Sequence, residues 1–175
     1  MGHGYHITYA STLLNAIDFS TLQHNFYWKR LGYSSKYDFE TKNVSFEGNV
    51  SDSARTKSIA DFNNSFNNYN LNWHSDLIIF PLLPYKENRT FKINFYDPGF
   101  GQPRDVFYTV TGIETLLSSA GEKVNCWTLE HKLTGGAVGY QKFWISNKTN
   151  EVIKEEDLFN GRYRYKIKLI VSEKN

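Results

Sequence analysis

The chain has 175 residues, a length that suits one domain able to bury its own apolar core. Its net charge of +2 is too small to favour nucleic acid or an acidic surface as a partner, and its single cysteine excludes an intrachain disulfide. Its 13 Phe, 12 Tyr and 4 Trp favour β-strands, where large rings pack on a pleated surface. We therefore predict one β domain spanning residues 1–175.

The N-terminal half shows four candidate strands, at 5–9, 26–31, 36–41 and 44–48. The segment 11–22 between the first two is predicted to be a short helix or a loop. Ser51 or Asp52 can cap a helix that runs to about Phe66, because Ile59, Phe62 and Phe66 recur at helical spacing. The asparagine-rich run 63–72 is polar and is predicted to be a loop.

Residues 71–84 form the most apolar stretch of the chain. Pro81 and Pro84 exclude a long helix or a central strand there. We predict a short helix over 75–80. The segment 73–84 is then expected to cover the concave face of a sheet, with Leu77 and Phe80 directed towards that face.

The C-terminal half alternates apolar and polar residues in six segments, at 89–96, 105–112, 123–131, 140–146, 151–156 and 162–171. Parallel pairing needs longer connections than the turns between these segments, so the strands should form an antiparallel meander. The predicted fold is mainly β, a curved antiparallel meander forming a barrel or half-barrel, with one or two short helices.

The last strand has the clearest pattern of the chain. Tyr163, Tyr165, Ile167 and Leu169 lie on one side and are predicted to be buried. Their neighbours Arg164, Lys166 and Lys168 are predicted to be exposed, because the opposite register would bury several cations.

The sequence contains no phosphate-binding glycine loop, paired zinc-type cysteines, nucleophile elbow or metal-binding histidine spacing. No catalytic residue, cofactor or metal site is therefore predicted. His3 and His6 can chelate a metal weakly, but termini are usually poorly ordered. One alternative is a hydrolase-like enzyme that uses His74, Asp76 and Glu130 as an acid/base group, provided that these side chains meet in the fold.

The aromatic residues are core candidates first. A curved sheet with more rings than its core needs can instead hold an apolar ligand, and the predicted ligand-binding residues are Trp73, Tyr108, Trp127 and Trp144. Cys126 is predicted to be a buried structural thiol, as free cysteines commonly are.

Several aromatic and turn motifs occur together in a characteristic order. They are Asn72-Trp73, 82–85 (LLPY), 91–99 (FKINFYDPG), 108–112 (YTVTG), 126–129 (CWTL), 143–146 (FWIS) and 163–166 (YRYK). Over roughly residues 70–171 the chain resembles a family of exported bacterial envelope proteins known only as a domain of unknown function. The resemblance implies an antiparallel, barrel-like or half-barrel sheet and a cell-envelope setting. It implies no catalytic residues.

The start of the sequence lacks the basic and apolar regions of an export signal, and no apolar run reaches the roughly 20 residues of a membrane span. We expect a periplasmic or envelope-associated protein if a signal has been removed, and a cytoplasmic one otherwise.

The leading functional prediction is a non-enzymatic binding or assembly module of the cell envelope. Its expected partner is an apolar small molecule or an envelope protein. Besides the hydrolase-like enzyme, a purely structural β protein is the other alternative. Titratable groups converging in a pocket would indicate the enzyme, and a concave surface lined by rings and aliphatic groups would indicate the binding module.

Overall fold

The computed structural model describes residues 8–29, 31–117, 121–134, 136 and 138–167. Backbone contacts divide the chain into two compact units. Unit 1 comprises Met1–Asp76 and Ile93–Asp105, and unit 2 comprises Leu77–Lys92 and Val106–Asn175. The chain is mainly β, as predicted; the single domain over 1–175 stays a prediction.

Four strands form an antiparallel sheet in unit 1. They are β1 (Thr8–Leu14), β2 (Thr21–Trp28), β3 (Tyr33–Asp38) and β4 (Asn43–Gly48), side by side in chain order. The predicted helix or loop over 11–22 is a loop only at 15–20, because β1 runs to Leu14 and β2 begins at Thr21. Ser11 and Thr12 lie in the ladder opposite Asn25 and His24, and this pairing overrides their turn-like composition.

The predicted helix after β4 is confirmed as α1 (Asp52–Ser65). The Ser51 hydroxyl caps it by accepting a hydrogen bond from the Ala54 backbone N–H at 3.3 Å. Its Phe62 packs in a buried cluster with Tyr37 and Tyr96, so α1 is held to unit 1 by aromatic contacts.

A second sheet contains six strands. They are β5 (Thr90–Phe95), β6 (Arg104–Leu117), β7 (Lys123–Lys132), β8 (Gly139–Ser146), β9 (Val152–Phe159) and β10 (Arg162–Ile167), in the order β10-β9-β8-β7-β6-β5. This order is the predicted meander. Neither sheet closes on itself within the described strands, so the predicted barrel or half-barrel is not confirmed.

The predicted short helix is confirmed as α2 (Asp76–Ile79), followed by a 3-10 turn over Phe80–Leu82. Phe80 is 0% exposed and meets the rings of Phe143 and Tyr108 edge-on, at centroid distances of 4.7 and 5.1 Å. Phe80 therefore covers one face of the unit 2 strands, here called the inner face. Leu77 is 45% exposed, so its predicted packing onto the sheet is wrong.

The last predicted strand is confirmed over Arg162–Ile167. Arg164 and Lys166 are exposed, as predicted, but the predicted burial of the other side is wrong. Tyr163, Tyr165 and Ile167 are 56%, 60% and 55% exposed. β10 is the edge strand of its sheet, so its side chains have a neighbouring strand on one side only. Leu169 and Lys168 lie outside the described residues.

Acidic residues on β9 explain which side of β10 turns inwards. Glu155 and Asp157 are buried, and the register places them directly across from Lys166 and Arg164. Arg164 Nε donates to Asp157 Oδ2 at 2.8 Å, and Lys166 Nζ donates to Glu155. A buried carboxylate needs a charged partner, so the basic side of β10 lies over the inner face.

Candidate functional site

The structure distributes the four predicted ligand-binding aromatic residues between the units. Trp73 lies in unit 1, where its ring packs against Phe95 at 5.1 Å and under the Arg104 guanidinium at 5.2 Å. The other three, Tyr108, Trp127 and Trp144, lie in unit 2.

Tyr108 and Trp127 belong to the inner face of unit 2. The Tyr108 hydroxyl donates to Gln141 Oε1 at 3.0 Å, and its ring is fully buried beside Phe80. Trp127 stacks on Tyr85 at a centroid distance of 6.3 Å. The packing of these rings against other side chains is that of a filled core.

Trp144 lies on the opposite, outer face, because it directly follows the inner residue Phe143 on β8. Its indole N–H donates to Glu114 Oε2 at 2.8 Å. The ammonium groups of Lys142 and Lys154 lie 5.0 and 4.3 Å from its ring centroid. Trp144 therefore does not share a lining with Tyr108 and Trp127.

The outer face of unit 2 carries a connected set of ion pairs. Lys142 Nζ lies 2.6 Å from Glu114 Oε1 and 2.9 Å from Glu130 Oε1. The hydrogen bond from Lys142 holds the pKa of Glu114 below its ordinary value. Burial alone would raise the pKa of Glu156, but hydrogen bonds, the largest from Lys154, lower it to about 2.

A groove of about 440 Å³ lies beside α2 and the edge of the six-stranded sheet, and we call it the helix–strand groove. Its lining is apolar at five positions and charged at four. The apolar residues are Leu77, Pro81, Val152, Ile153 and Ile167, and the charged residues are Glu151, Lys154, Glu155 and Lys166. None of these residues is among those predicted from the sequence to bind a ligand.

A second polar cluster lies wholly in unit 1 and is centred on His24. The ladder places this residue of β2 between Thr12 of β1 and Tyr37 of β3. Its ring is 0% exposed, and burial, with a smaller contribution from His74, lowers its pKa to about 4. His24 is therefore a neutral imidazole at pH 7.

His74 and Asp97 complete this cluster. His74 Nε2 lies 3.4 Å from Asp97 Oδ1, and the His74 ring stacks on His24 at a centroid distance of 5.4 Å. One ligand-type atom from each of the three residues lies within 4.8 Å of the others. Of the three, only His74 was a candidate from the sequence. His24 resembles any inward strand residue, and Asp97 resembles a turn residue.

The three residues of the hydrolase-like alternative have different surroundings. His74 and Asp76 belong to unit 1, where His74 pairs with Asp97 and Asp76 is buried in the first turn of α2. Glu130 belongs to unit 2, where it pairs with Lys142 and accepts a hydrogen bond from Thr111 at 3.0 Å. The acid/base role of this set stays a prediction.

Cys126 is buried, as predicted. Burial, and secondarily the charge of Glu114, raises the pKa of its thiol. A thiol of raised pKa inside a strand is protonated at pH 7 and a poor nucleophile.

These features define a two-sheet antiparallel β protein. The model of a family described as a protein of unknown function, DUF3108, matches residues 6–168, so the chain belongs to this family. No curated protein and no solved structure matches the chain. Within the described ranges, no helix has the length and apolar character needed to cross a membrane.

Proposed function

We propose that this protein is a non-enzymatic binding module of the bacterial cell envelope that holds an apolar small molecule in the helix–strand groove. The observation that carries this proposal is the composition of the groove, with five apolar side chains around a volume of about 440 Å³. Small-molecule sites are typically concave, mostly apolar and about 300–1,000 Å³ in volume.

The charges of the groove favour binding over chemistry. Lys166 is paired with Glu155, and Lys154 lies 2.7 Å from Glu156 Oε2. A general acid or base must be able to exchange its proton with a substrate, and an ion-paired group gives up that freedom. The paired side chains can instead frame the apolar floor of the groove and orient a ligand with one polar end.

The exposure of Leu77 supports the same conclusion. Leu77 lies on the short α2, next to buried residues, yet 45% of its surface is exposed. A ligand lying in the groove would remove this apolar surface from water, which is the main source of affinity at apolar sites.

Binding of a fluorescent fatty-acid analogue tests the proposal. Leu77→Ala should weaken binding about three- to tenfold, because part of the apolar lining is removed. Ile167→Ser should weaken it by a similar factor, by placing a hydroxyl in the lining. The matched control is Leu117→Ala, which removes an exposed leucine of β6 that is outside the groove.

We expect the wild-type chain to bind the probe saturably. The affinity should fall in both groove variants and stay unchanged in Leu117→Ala. Absence of saturable binding by the wild-type chain would contradict the proposal. So would equal affinities of wild type, Leu77→Ala and Ile167→Ser, because the probe would then lie elsewhere.

The envelope setting is part of the proposal and is supported by the resemblance noted from the sequence. Fractionation of the bacterium that makes the protein should place the full-length product in the periplasmic or envelope fraction. Recovery with the cytoplasmic proteins would contradict this part and leave the binding measurement unaffected.

Assembly through β10 is the second candidate function. β10 is an edge strand whose outward side chains Tyr163, Tyr165 and Ile167 are exposed, and an unpaired strand edge can pair with another chain. If a second copy pairs there, sedimentation equilibrium should show a dimer that Tyr165→Lys weakens. A monomer at every concentration tested would exclude self-assembly through this edge.

A further inference from the structure

We infer that His24, His74 and Asp97 form a binding site for a divalent transition-metal ion of the zinc class. This inference is independent of the helix–strand groove, because all three residues belong to unit 1 and the groove belongs to unit 2.

The spacing of the three side chains fits one ion. Zinc binds histidine nitrogen and carboxylate oxygen at about 2.0–2.2 Å, so two ligands of one tetrahedral ion lie about 3.4 Å apart. His74 Nε2 and Asp97 Oδ1 are separated by 3.4 Å. The ligand atoms of all three residues lie within 4.8 Å of one another, so closure around an ion requires a contraction of at most about 1.4 Å.

The buried polar atoms provide a second, independent observation. His24 Nε2 and Asp97 Oδ1 are both buried without a hydrogen-bond partner. Leaving a buried polar atom unsatisfied typically costs about 1–3 kcal/mol, so native structures rarely keep two in one cluster. A bound cation would satisfy both atoms.

The other nitrogen of His24 has the surroundings of a metal ligand. Nδ1 lies 2.9 Å from Thr12 Oγ1 and 3.3 Å from Asn72 Nδ2. The Asn72 amide nitrogen can only donate, so Nδ1 accepts from it in the ion-free protein. Binding of an ion through Nε2 requires the proton on Nδ1, where it is donated to Thr12 Oγ1. Metal-binding histidines commonly use such a donation to fix the tautomer and the orientation of the ring.

Backbone contacts bring His74 next to Asp97. Leu71 accepts a hydrogen bond from the Tyr96 N–H at 3.0 Å and donates to the Asn94 carbonyl at 2.9 Å, which fixes the two segments side by side. Asn72 Oδ1 then accepts from the His74 N–H at 2.9 Å and caps the 3-10 turn Trp73–Ser75. The positions of the candidate ligands are thus determined by regular hydrogen bonds.

The ligand set indicates the class of ion. Two imidazoles and one carboxylate favour zinc and its neighbours in the transition series over magnesium or calcium, which prefer oxygen ligands. Three protein ligands leave a fourth position for water or a small anion, as in sites that are not purely structural. The two rings are within 17° of parallel, and the 40% exposed His74 has room to turn towards the ion.

Titration calorimetry with zinc chloride tests the site, on protein first freed of metal with a chelator. His3→Ala and His6→Ala are introduced together as the background, because these residues offer other nitrogen donors. One ion per chain is the expected stoichiometry. Cobalt binding to the same background gives a second readout, because tetrahedral cobalt absorbs visible light much more strongly than the hydrated ion.

Variants of this background identify the ligands. His74→Ala and Asp97→Asn each remove a ligand and should weaken zinc binding by about tenfold or more. Thr12→Val removes the hydrogen-bond partner of His24 and should weaken binding by about tenfold, a typical effect of losing an outer-shell partner. His131→Ala, which removes a histidine of unit 2, is the matched control and should bind as the background does. Urea unfolding in chelator checks that each variant is folded.

Three results would overturn the inference. The first is that zinc does not bind at concentrations up to about 1 mM, which corresponds to a binding free energy of only about 4 kcal/mol. The second is that a folded His74→Ala binds zinc with unchanged affinity. The third is that His131→Ala loses as much affinity as His74→Ala. Loss of binding in His74→Ala and Asp97→Asn with retention in His131→Ala would support it, whatever the fatty-acid measurement shows.

Discussion

Replacement of Phe80 by alanine should destabilise the protein far more than replacement of its neighbour Leu77. Phe80 is 0% exposed and makes edge-on contacts with Phe143 and Tyr108 at 4.7 and 5.1 Å. Deleting its ring removes on the order of 100 Å² of buried apolar surface, or about 2.5 kcal/mol at about 25 cal/mol per Å². Two aromatic contacts add about 0.5–1.5 kcal/mol each.

The expected loss for Phe80→Ala is therefore roughly 3.5–5.5 kcal/mol, close to the value of about 3–5 kcal/mol that is typical of ring deletions in protein cores. Leu77 is 45% exposed, and Leu77→Ala should cost less than about 1 kcal/mol. Urea unfolding followed by tryptophan fluorescence gives both free energies of unfolding. Trp127 and Trp144 report from unit 2, where both substitutions lie.

The difference in the free energy of unfolding between Phe80→Ala and Leu77→Ala decides the test. A loss below about 1 kcal/mol for Phe80→Ala would mean that the ring does not fill the inner face as described. A larger loss for Leu77→Ala than for Phe80→Ala would restore the packing that the sequence alone predicted for Leu77. It would also remove the argument that exposed Leu77 surface is available to a ligand.

Three further predictions concern titration, backbone space and thiol reactivity. The pKa of Glu156 is lowered from 4.5 to about 2, so its ionised form stabilises the fold above about pH 4.5. This contribution to the free energy of unfolding is about 1 kcal/mol after solvent screening. It should disappear as the pH falls to about 2. Glu156→Gln should flatten the acid limb of stability against pH, Glu87→Gln should not, and parallel acid limbs for wild type and Glu156→Gln would contradict the assignment. Gly139→Ala should cost more than about 3 kcal/mol of stability in urea unfolding, because a Cβ there would lie 1.8 Å from the Leu158 carbonyl oxygen. The control Gly136→Ala places its Cβ in open space and should cost only about 1 kcal/mol. Equal losses for the two variants would refute the close approach at Gly139. Cys126 should react with iodoacetamide only when urea unfolds the chain, since its thiol is buried with a raised pKa, and rapid labelling of the folded protein would show an accessible thiolate.

Strand positions were predictable because apolar alternation is a local signal. The six C-terminal strands lie within a few residues of their predicted bounds, apart from β6, which runs on to Leu117. The capped helix α1 was predictable for the same reason, since Ser51 precedes a run at helical spacing. Alternation does not show whether an edge strand is covered at all, and every residue of β10 is exposed. Arg164 and Lys166 face Glu155 and Asp157 of β9, and the sequence gives no sign that these acids are buried.

The sites were less predictable, because they join residues that are distant in sequence. His24 lies in β2 and Asp97 follows β5, and the Leu71–Phe95 bridge brings the His74 segment next to Asp97. The helix–strand groove likewise combines α2 with residues of β9 and β10. The motifs around Trp127 and Trp144 were visible in the sequence. Tyr108 and Trp144 point to opposite faces of the sheet because of the strand register. The register could not be predicted without knowing how the strands pair.

The discontinuous path of the chain has a consequence for its synthesis. Unit 1 needs Ile93–Asp105, which the ribosome makes only after Leu77–Lys92 of unit 2. At about 5–20 residues per second, the ribosome adds Asp97 roughly 1–5 s after His74. Unit 1 therefore cannot finish folding while the nascent chain ends before residue 105, and a gene fragment ending at Asp76 would encode a protein without the segment that completes it.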